Sequence, residues 1–336
     1  MHVTLYKPGT IPIPPRLYGG TERVIYWLGK ALVELGHQVT LIANAESHIP
    51  GAELRVIAGD EKDPRAWLQF LPDSTDIVHL WDTSEPNANK PFLVTVEGNG
   101  QPGQKFHPNT IFVSQKHAAN HGSRHFVHNG LDAAEYALSE KRGDYAVFLA
   151  KARWKVKNFR GTDAVARRAG IELRVLGSRN WPLNLQLLLP KIRGVRYYGM
   201  MGGTEKRDLL AKARCLIFPV RWHEPFGLSI IEALVSGAYV AGTPYGSLPE
   251  IVTPDAGVLS ARGVDLAEAV KNPQRFSPQM CRERVLRGGF THLDMARKYL
   301  GCYEQILTHG SLGEASEPPP ATRPGFVAKQ LLPWED

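Results

Sequence analysis

Hydrophobic and polar positions along this chain switch repeatedly between two periods. Short continuous apolar runs, which read as buried strands, alternate with longer segments whose apolar residues recur at helical spacing. Residues 2–6 read as the first strand. A loop rich in Pro and Gly follows, from Pro8 to Gly20. The next segment predicts a helix over residues 22–35, with Val24, Ile25, Leu28, Ala31, Leu32 and Leu35 on one face. Thr21 is its expected N-cap and Gly36 its stop. Residues 37–43 make the second strand, so the opening is a βαβ unit whose strands run parallel. Further strands are predicted at 54–57, 77–80, 92–96 and 110–113, with a short helix and turn around 117–125.

The polar stretch Ser139-Glu-Lys-Arg-Gly-Asp144 interrupts this series, and a domain boundary is expected there. A second alternation then begins: strand 145–150, helix 161–169, strands 172–176 and 195–198, helix 204–213, strand 215–218, strand 239–241 and a short helix at 248–252. Residues 295–307 read as a last amphipathic helix. The expected organisation is a first domain over 1–138 and a second over 139–290. Residues 291–336 form a helix packing back toward the first domain, plus an extended tail. The fold class is α/β, with two doubly wound, Rossmann-like domains facing each other across a cleft that holds any ligand. The tail from Ser311, with Pro318-Pro-Pro320, has the composition of turns and disorder. Its Leu331-Leu-Pro-Trp334 reads as a docking segment with no assigned partner.

Composition narrows the function. A chain of 336 residues suits two domains. It has no apolar run long enough to span a bilayer, and its start lacks the pattern of a signal peptide. Cys215, Cys281 and Cys302 are scattered and form no C-x-x-C pair, which argues against zinc and redox motifs and favours a reducing cytoplasm. The net charge of +7 gathers partly in Lys151-Ala-Arg-Trp-Lys-Val-Lys157 and at Arg160, Arg167, Arg168 and Arg174. Such a surplus serves solubility. It also suits an anionic partner: small-molecule phosphates, a membrane surface or nucleic acid.

The chemistry concentrates in Arg221-Trp-His-Glu-Pro-Phe-Gly-Leu-Ser-Ile-Ile-Glu232-Ala-Leu-Val-Ser-Gly237. Strand, turn and helix start is where an open α/β sheet presents a ligand site. Glu224 and Glu232 bracket the helix start, where amides of Gly227 to Ser229 would face an anion. The plainer reading makes Ser229 and Glu232 a capping box and Glu224 a solvated loop carboxylate. Arg153 and Lys157, just past a strand, form a cation pair able to neutralise a diphosphate, with Lys151 and Lys155 competing for that role. Gly19-Gly20 lets a ligand approach backbone closely.

Two other patterns carry less. Gly98-Asn-Gly100-Gln-Pro-Gly103 has dinucleotide-loop spacing. Pro102 and Pro108 oppose a helix there, and the required carboxylate about 20 residues on is missing. His117, His121, His125 and His128 lack the Glu and Cys of zinc motifs, and they read as cleft lining or surface.

Together these segments resemble the family 4 nucleotide-sugar glycosyltransferases of the GT-B fold, from Met1 to about Leu307. The resemblance is carried by Tyr18-Gly-Gly-Thr-Glu-Arg-Val24, Leu35-Gly-His-Gln-Val-Thr-Leu41, Asp76-Ile-Val-His-Leu80, the Glu224-to-Glu232 signature and Gly246-Ser-Leu-Pro-Glu-Ile-Val252. It implies a retaining hexosyltransferase that uses a UDP- or GDP-sugar without a bound metal or other cofactor. Glu224 would bind donor-sugar hydroxyls, and Phe226, Gly227 and Leu228 would lie against the sugar and diphosphate. Glu232 would grip the ribose, Arg153 and Lys157 the departing diphosphate, and Tyr198, Gly199 and Met200 the base. Gly19 and Gly20 would border phosphate and acceptor.

The chain departs from the family twice. Thr95-Val-Glu97 stands where many members carry T-x-H, which puts Glu97 near the reacting sugar. Lys151-Ala152 replaces the usual Gly-Arg. The implied partners are a nucleotide sugar and a glycan, lipid-linked or small-molecule acceptor, with no nucleic acid. Bacterial polysaccharide or lipopolysaccharide assembly in the cytoplasm, at the inner membrane face for a lipid acceptor, is the implied setting. Glu97 keeps open a GT-B-like protein that binds a nucleotide sugar with little or no transfer. A sugar epimerase is a further alternative on the same fold.

Overall fold

The computed structural model describes residues 1–17, 19–81, 89–139, 141–177, 194–313, 320–323 and 326–336. Tyr18 of the glycine motif, and Pro318 and Pro319 of the tail, lie outside the described residues. The chain forms two compact units: Met1–Asp132 with Gly289–Ala328, and Ala133–Gly288 with Lys329–Asp336.

The first unit holds β1 (His2–Tyr6), α1 (Gly20–Glu34), β2 (Gln38–Ala43), β3 (Glu53–Val56), β4 (Ile77–Trp81), β5 (Phe92–Val96), β6 (Thr110–Phe112) and α2 (Gln115–Asn120). Its sheet is parallel throughout, in the order β3-β2-β1-β4-β5-β6. β1 and β4 are buried along their whole length, with the polar side chains of His2, Thr4 and His79 buried among the apolar ones. β3 lies at the edge, and there Arg55 Nε donates to the Glu53 carboxylate over 2.8 Å. A charged edge of this kind discourages pairing with another chain. α1 starts earlier than expected, with Gly19 rather than Thr21 at the N-cap and no side-chain cap. Its first turn instead carries Glu22, whose carboxylate pairs with Lys7 at 2.9 Å; a negative charge there complements the helix dipole.

The second unit repeats the plan with β7 (Tyr145–Leu149), α3 (Phe159–Ala169), β8 (Glu172–Leu176), β9 (Val195–Gly199), α4 (Gly203–Lys212), β10 (Cys215–Phe218), α5 (Leu228–Val235), β11 (Tyr239–Gly242), α6 (Leu248–Ile251), β12 (Gly257–Leu259), α7 (Gly263–Lys271) and α8 (Pro278–Arg287). The strand order is β12-β11-β10-β7-β8-β9, again parallel, so both units wind outward from a central strand pair. β12, α7 and α8 are additions to the sequence reading. β12 spans three residues, and α8 buries only Cys281 and Val285 while Met280 and Leu286 are exposed, so neither gives a strong periodic signal.

α9 (His292–His309) belongs to the first unit and packs on α1. A capping box between Thr291 and Asp294 starts it. Its Tyr303 hydroxyl meets His79 Nδ1 at 2.7 Å, and its Tyr299 hydroxyl meets Thr95 Oγ1 at 2.9 Å. His79 Nε2 closes the chain on Thr95 Oγ1 at 2.7 Å. Burial holds His79 well below the usual imidazole range and lifts both tyrosines well above theirs, so this core network is neutral.

Candidate functional site

In a doubly wound sheet, ligands bind outside the carboxyl ends of the strands, where the winding reverses. In the second unit that point lies between β7 and β10. β7 runs out into the loop carrying Lys151 to Asn158, and β10 into the loop carrying Arg221 to Gly227. Both clusters of charged residues singled out in the sequence therefore emerge at one place.

Glu224 is buried there at 6% exposure. Lys157 Nζ donates to its Oε2 at 2.6 Å, and so does the Trp222 indole N–H, also at 2.6 Å. Among the described residues no donor meets Glu224 Oε1. The Lys157 ammonium also stands 4.8 Å from the Trp222 ring centre and 5.2 Å from that of Phe218. A carboxylate and two aromatic faces thus hold one cation, which limits the cost of burying it.

The backbone under Glu224 is fixed by the loop after β11. Gly246 has φ +65, and a Cβ on it would lie 2.2 Å from both the N and the O of Glu224. Only glycine fits that approach. Ser247 N–H donates to Glu224 O at 3.0 Å, and Ser247 Oγ donates to Phe226 O at 2.6 Å. The Gly246-Ser-Leu-Pro-Glu turn is thus the brace of the signature segment.

α5 begins next, with Gly227 as N-cap and no side-chain cap. This corrects the capping-box reading of Ser229 and Glu232. Glu232 is drawn away from the helix start because its Oε1 accepts from Lys206 Nζ at 2.5 Å and from the Tyr136 hydroxyl at 2.7 Å. Lys206 and Glu232 are 6% and 5% exposed, so this is a second buried carboxylate–lysine pair. Gly227, Leu228 and Ser229 stay half-exposed. First-turn amides have no intrahelical acceptor and favour an anion.

The remaining expected positions fall around this centre or apart from it. Arg153 and Lys155 are exposed, and the Lys151 ammonium lies 5.0 Å from the Trp154 ring centre. Of these four cations, Lys157 is the one that meets Glu224. Tyr198 and Met200 are half-buried at the end of β9 and just past it, and the carbonyl of Gly199 accepts from Gly177 N–H at 2.7 Å. Phe226 is buried. Gly19, Gly20 and Glu97 belong to the first unit.

There, Asn129 Nδ2 donates to Glu97 Oε2 at 2.8 Å. The glycine loop after Glu97 is tied down by two histidines. His117 Nδ1 accepts from Val113 N–H at 3.3 Å, so its Nε2–H donates to Gly98 O at 3.0 Å. His121 Nε2 accepts from Gly100 N–H at 2.8 Å, so its Nδ1–H donates to His117 O at 2.8 Å. Both are core residues, at 1% and 0% exposure, against the expectation of surface or cleft lining. Burial lowers the pKa of each, and that of His117 falls well below the usual range. Rings packed on Phe106 and Phe112 explain why these histidines are buried. Among the described residues no group of three His, Cys, Asp or Glu has metal-holding geometry. No described helix is long and apolar enough to cross a membrane. Burial pushes the Cys215 and Cys281 thiols up to about 12.

Trp222, Lys206 and Tyr136 were not among the expected site residues. Trp222 lies inside the signature segment, two residues before Glu224. Lys206 and Tyr136 are 26 and 96 residues from Glu232 along the chain, and no local spacing links them to it.

Comparison with known proteins bears on this geometry. Residues 147–273, within the second unit, match the family model described as glycosyl transferases group 1. The crystal structure of AviGT4, a glycosyltransferase involved in avilamycin A biosynthesis, superposes with TM-score 0.75 at 25% identity, covering 91% of this chain and 98% of that one. Sucrose-phosphate synthase from Thermosynechococcus elongatus gives TM-score 0.68 at 15% identity, covering 91% and 99%. Anabaena Alr3699/HepE in complex with UDP gives 0.64 at 13% identity, covering 91% and 100%. No curated protein matches the sequence. The chain has two parallel α/β units of the GT-B type and is related, through the stretch that carries both buried carboxylate–lysine pairs, to the group 1 glycosyltransferases.

Proposed function

We propose that this protein is a retaining glycosyltransferase that moves a hexose from a UDP- or GDP-sugar to a glycan, glycolipid or small-molecule acceptor without a metal. The observation that carries the proposal is the pair of carboxylate–lysine contacts in the unit that matches the family, Glu224–Lys157 at the winding reversal and Glu232–Lys206 between α5 and α4. Support for the donor class comes from HepE, whose structures hold UDP, or UDP and glucose.

The proposed roles follow from the atoms available. Glu224 Oε1 accepts from hydroxyls of the donor sugar while Oε2 stays on Trp222. Leu228 and Ser229 amides, with the α5 dipole behind them, face the diphosphate. Breaking the anomeric bond leaves negative charge on the departing diphosphate and positive charge on the sugar ring. Lys157, held in a desolvated aromatic pocket, offers its ammonium to the leaving oxygens, where fixed positive charge lowers the barrier. Arg153, on the same loop, adds charge from the solvent side. Glu232 takes the ribose, and Tyr198 to Met200 line the base. By the family resemblance, Gly19 and Gly20 are assigned to phosphate and acceptor, and Glu97 to the position of the family's histidine. Glu97 places a carboxyl group where many family members carry imidazole.

The test is a thermal-shift titration with UDP, GDP and other nucleoside diphosphates. Binding at 100 times Kd stabilises the folded state by about 2.7 kcal/mol. A response to one nucleotide supports the reading and names the base; no response to any of them contradicts it. Donor hydrolysis, measured alongside, separates transfer from mere binding.

A further inference from the structure

We infer that the C-terminal octapeptide, Lys329–Asp336, is a positioning strap that sets the Glu224–Lys157 pair. The inference rests on the donor-site reading above and extends it to a segment outside the family match. After α9 the chain returns to the second unit and lies across three loops, each leading out of the carboxyl end of a neighbouring strand: β7, β10 and β11.

Each loop carries one part of the site, and the strap holds each one. On the β10 loop, Leu332 N–H donates to Arg221 O at 2.8 Å and Arg221 Nε donates back to Leu332 O at 2.8 Å. Arg221 stands three residues before Glu224. Its own N–H donates to Val156 O at 2.7 Å, beside Lys157 on the β7 loop. On the β11 loop, the Tyr245 hydroxyl donates to Pro333 O at 2.8 Å. Tyr245 precedes Gly246, the residue pressed against the Glu224 backbone.

On the β7 loop, Trp334 covers the start of α3. A Cβ on Gly161 would lie 2.9 Å from the Trp334 ring, and Gly161 N–H is capped by Asn158, the residue after Lys157. Beyond the site the strap is anchored by Glu335 N–H to Ala261 O at 2.9 Å and Gly263 N–H to Glu335 O at 2.6 Å.

The strap is not a core element. Leu332 and Trp334 are only half-buried, and Leu331, Pro333, Glu335 and Asp336 are exposed. Its apolar contribution to global stability is therefore small, while its hydrogen bonds near the site hold Arg221, which bonds both Leu332 and Val156 O beside Lys157, and Tyr245, which precedes the Gly246 brace of Glu224. Errors of an ångström in Glu224 or Lys157 cost catalysis heavily.

The experiment compares the full chain with a version ending at Gln330 and with Tyr245→Phe, which removes one strap hydrogen bond and no volume. The first readout needs no ligand: hydrogen exchange at the Ser247 amide, which bonds Glu224 O and touches no strap atom. It is expected to speed up about tenfold on truncation and less in Tyr245→Phe, a local opening inside a unit whose other amides keep their protection. The second readout is nucleoside diphosphate affinity, expected to fall about tenfold, the worth of one or two net hydrogen bonds. Donor KM rises with it and acceptor KM stays unchanged. Unchanged Ser247 exchange in the truncated chain overturns the proposal, as does a uniform loss of protection throughout the second unit. If the full chain binds no nucleoside diphosphate, the donor reading fails, while Ser247 exchange still decides whether the strap sets the loop.

Discussion

Lys206→Met tests the less expected of the two buried pairs. The side chains of Lys206 and Glu232 are 7% and 6% exposed, and their atoms meet at 2.5 Å, so water does not screen them. Replacing the lysine by an apolar side chain of similar length removes the cation and leaves a buried carboxylate. Breaking such a pair from one side costs about 3–5 kcal/mol. The Tyr136 hydroxyl stays on the same oxygen, which puts the expected loss at the lower end, about 3 kcal/mol. For a unit of this size that lowers the melting midpoint by about 6–12 °C. The double variant Lys206→Met, Glu232→Gln removes both charges and recovers most of the loss, because a neutral amide is cheaper to bury than a carboxylate that has lost its lysine. Urea unfolding of the wild type, both single variants and the double variant gives the coupling directly. A Lys206→Met variant within about 1 kcal/mol of wild type would refute the reasoning, since surface pairs behave that way. So would a double variant as unstable as Lys206→Met alone.

Two further predictions follow from the same geometry. Gly246→Ala should lower nucleotide affinity and stability more than Gly170→Ala; both positions have positive φ, but a Cβ on Gly170 has nothing within 4 Å. Left-handed strain alone costs about 1–2 kcal/mol, so equal effects of the two substitutions would argue against the close contact with Glu224. Stability should also depend on pH through His79 and His117, whose folded-state pKa values lie well below 6.5. Above pH 6.5 neither state holds these protons and they contribute nothing. As pH falls below 6.5 the unfolded chain takes them up and the folded chain does not, so stability drops by about 2 kcal/mol per pH unit near pH 5.5. Urea unfolding from pH 7.5 to 5.5 should show a shallower slope for His79→Gln, and an unchanged slope would count against a neutral buried His79.

Much of the fold was legible because parallel strands leave short, mostly apolar runs between turns; β5 and β8 were located to the residue, although β8 interleaves Glu172 and Arg174 with its apolar positions. Helix starts were less legible. Thr21 and Ser229 have the chemistry of caps, yet in both places a glycine two residues earlier takes the N-cap position. Glu224, Lys157 and the Gly246 turn stood out from the sequence because each lies in a short motif beside a strand end. Lys206 and Tyr136 did not, since their meeting with Glu232 depends on how α4 and α5 pack, which no local pattern encodes. The histidine cluster misled for a related reason. Polar spacing suggests exposure, but His117 and His121 spend their ring nitrogens on the backbone of the Gly98–Gly100 loop and bury their faces on phenylalanines.

The most direct test of the central claim is release of nucleoside diphosphate from a panel of UDP- and GDP-sugars, by the wild type and by Glu224→Ala. Folding of the variant is checked by its circular dichroism and melting midpoint. The account predicts that the wild type consumes at least one donor, with slow hydrolysis when no acceptor is present, and that the folded Glu224→Ala variant loses this turnover by at least about a hundredfold, as expected for an interaction made at the reacting sugar. A wild type that consumes no donor, or a Glu224→Ala variant that turns over as fast as the wild type, would contradict it.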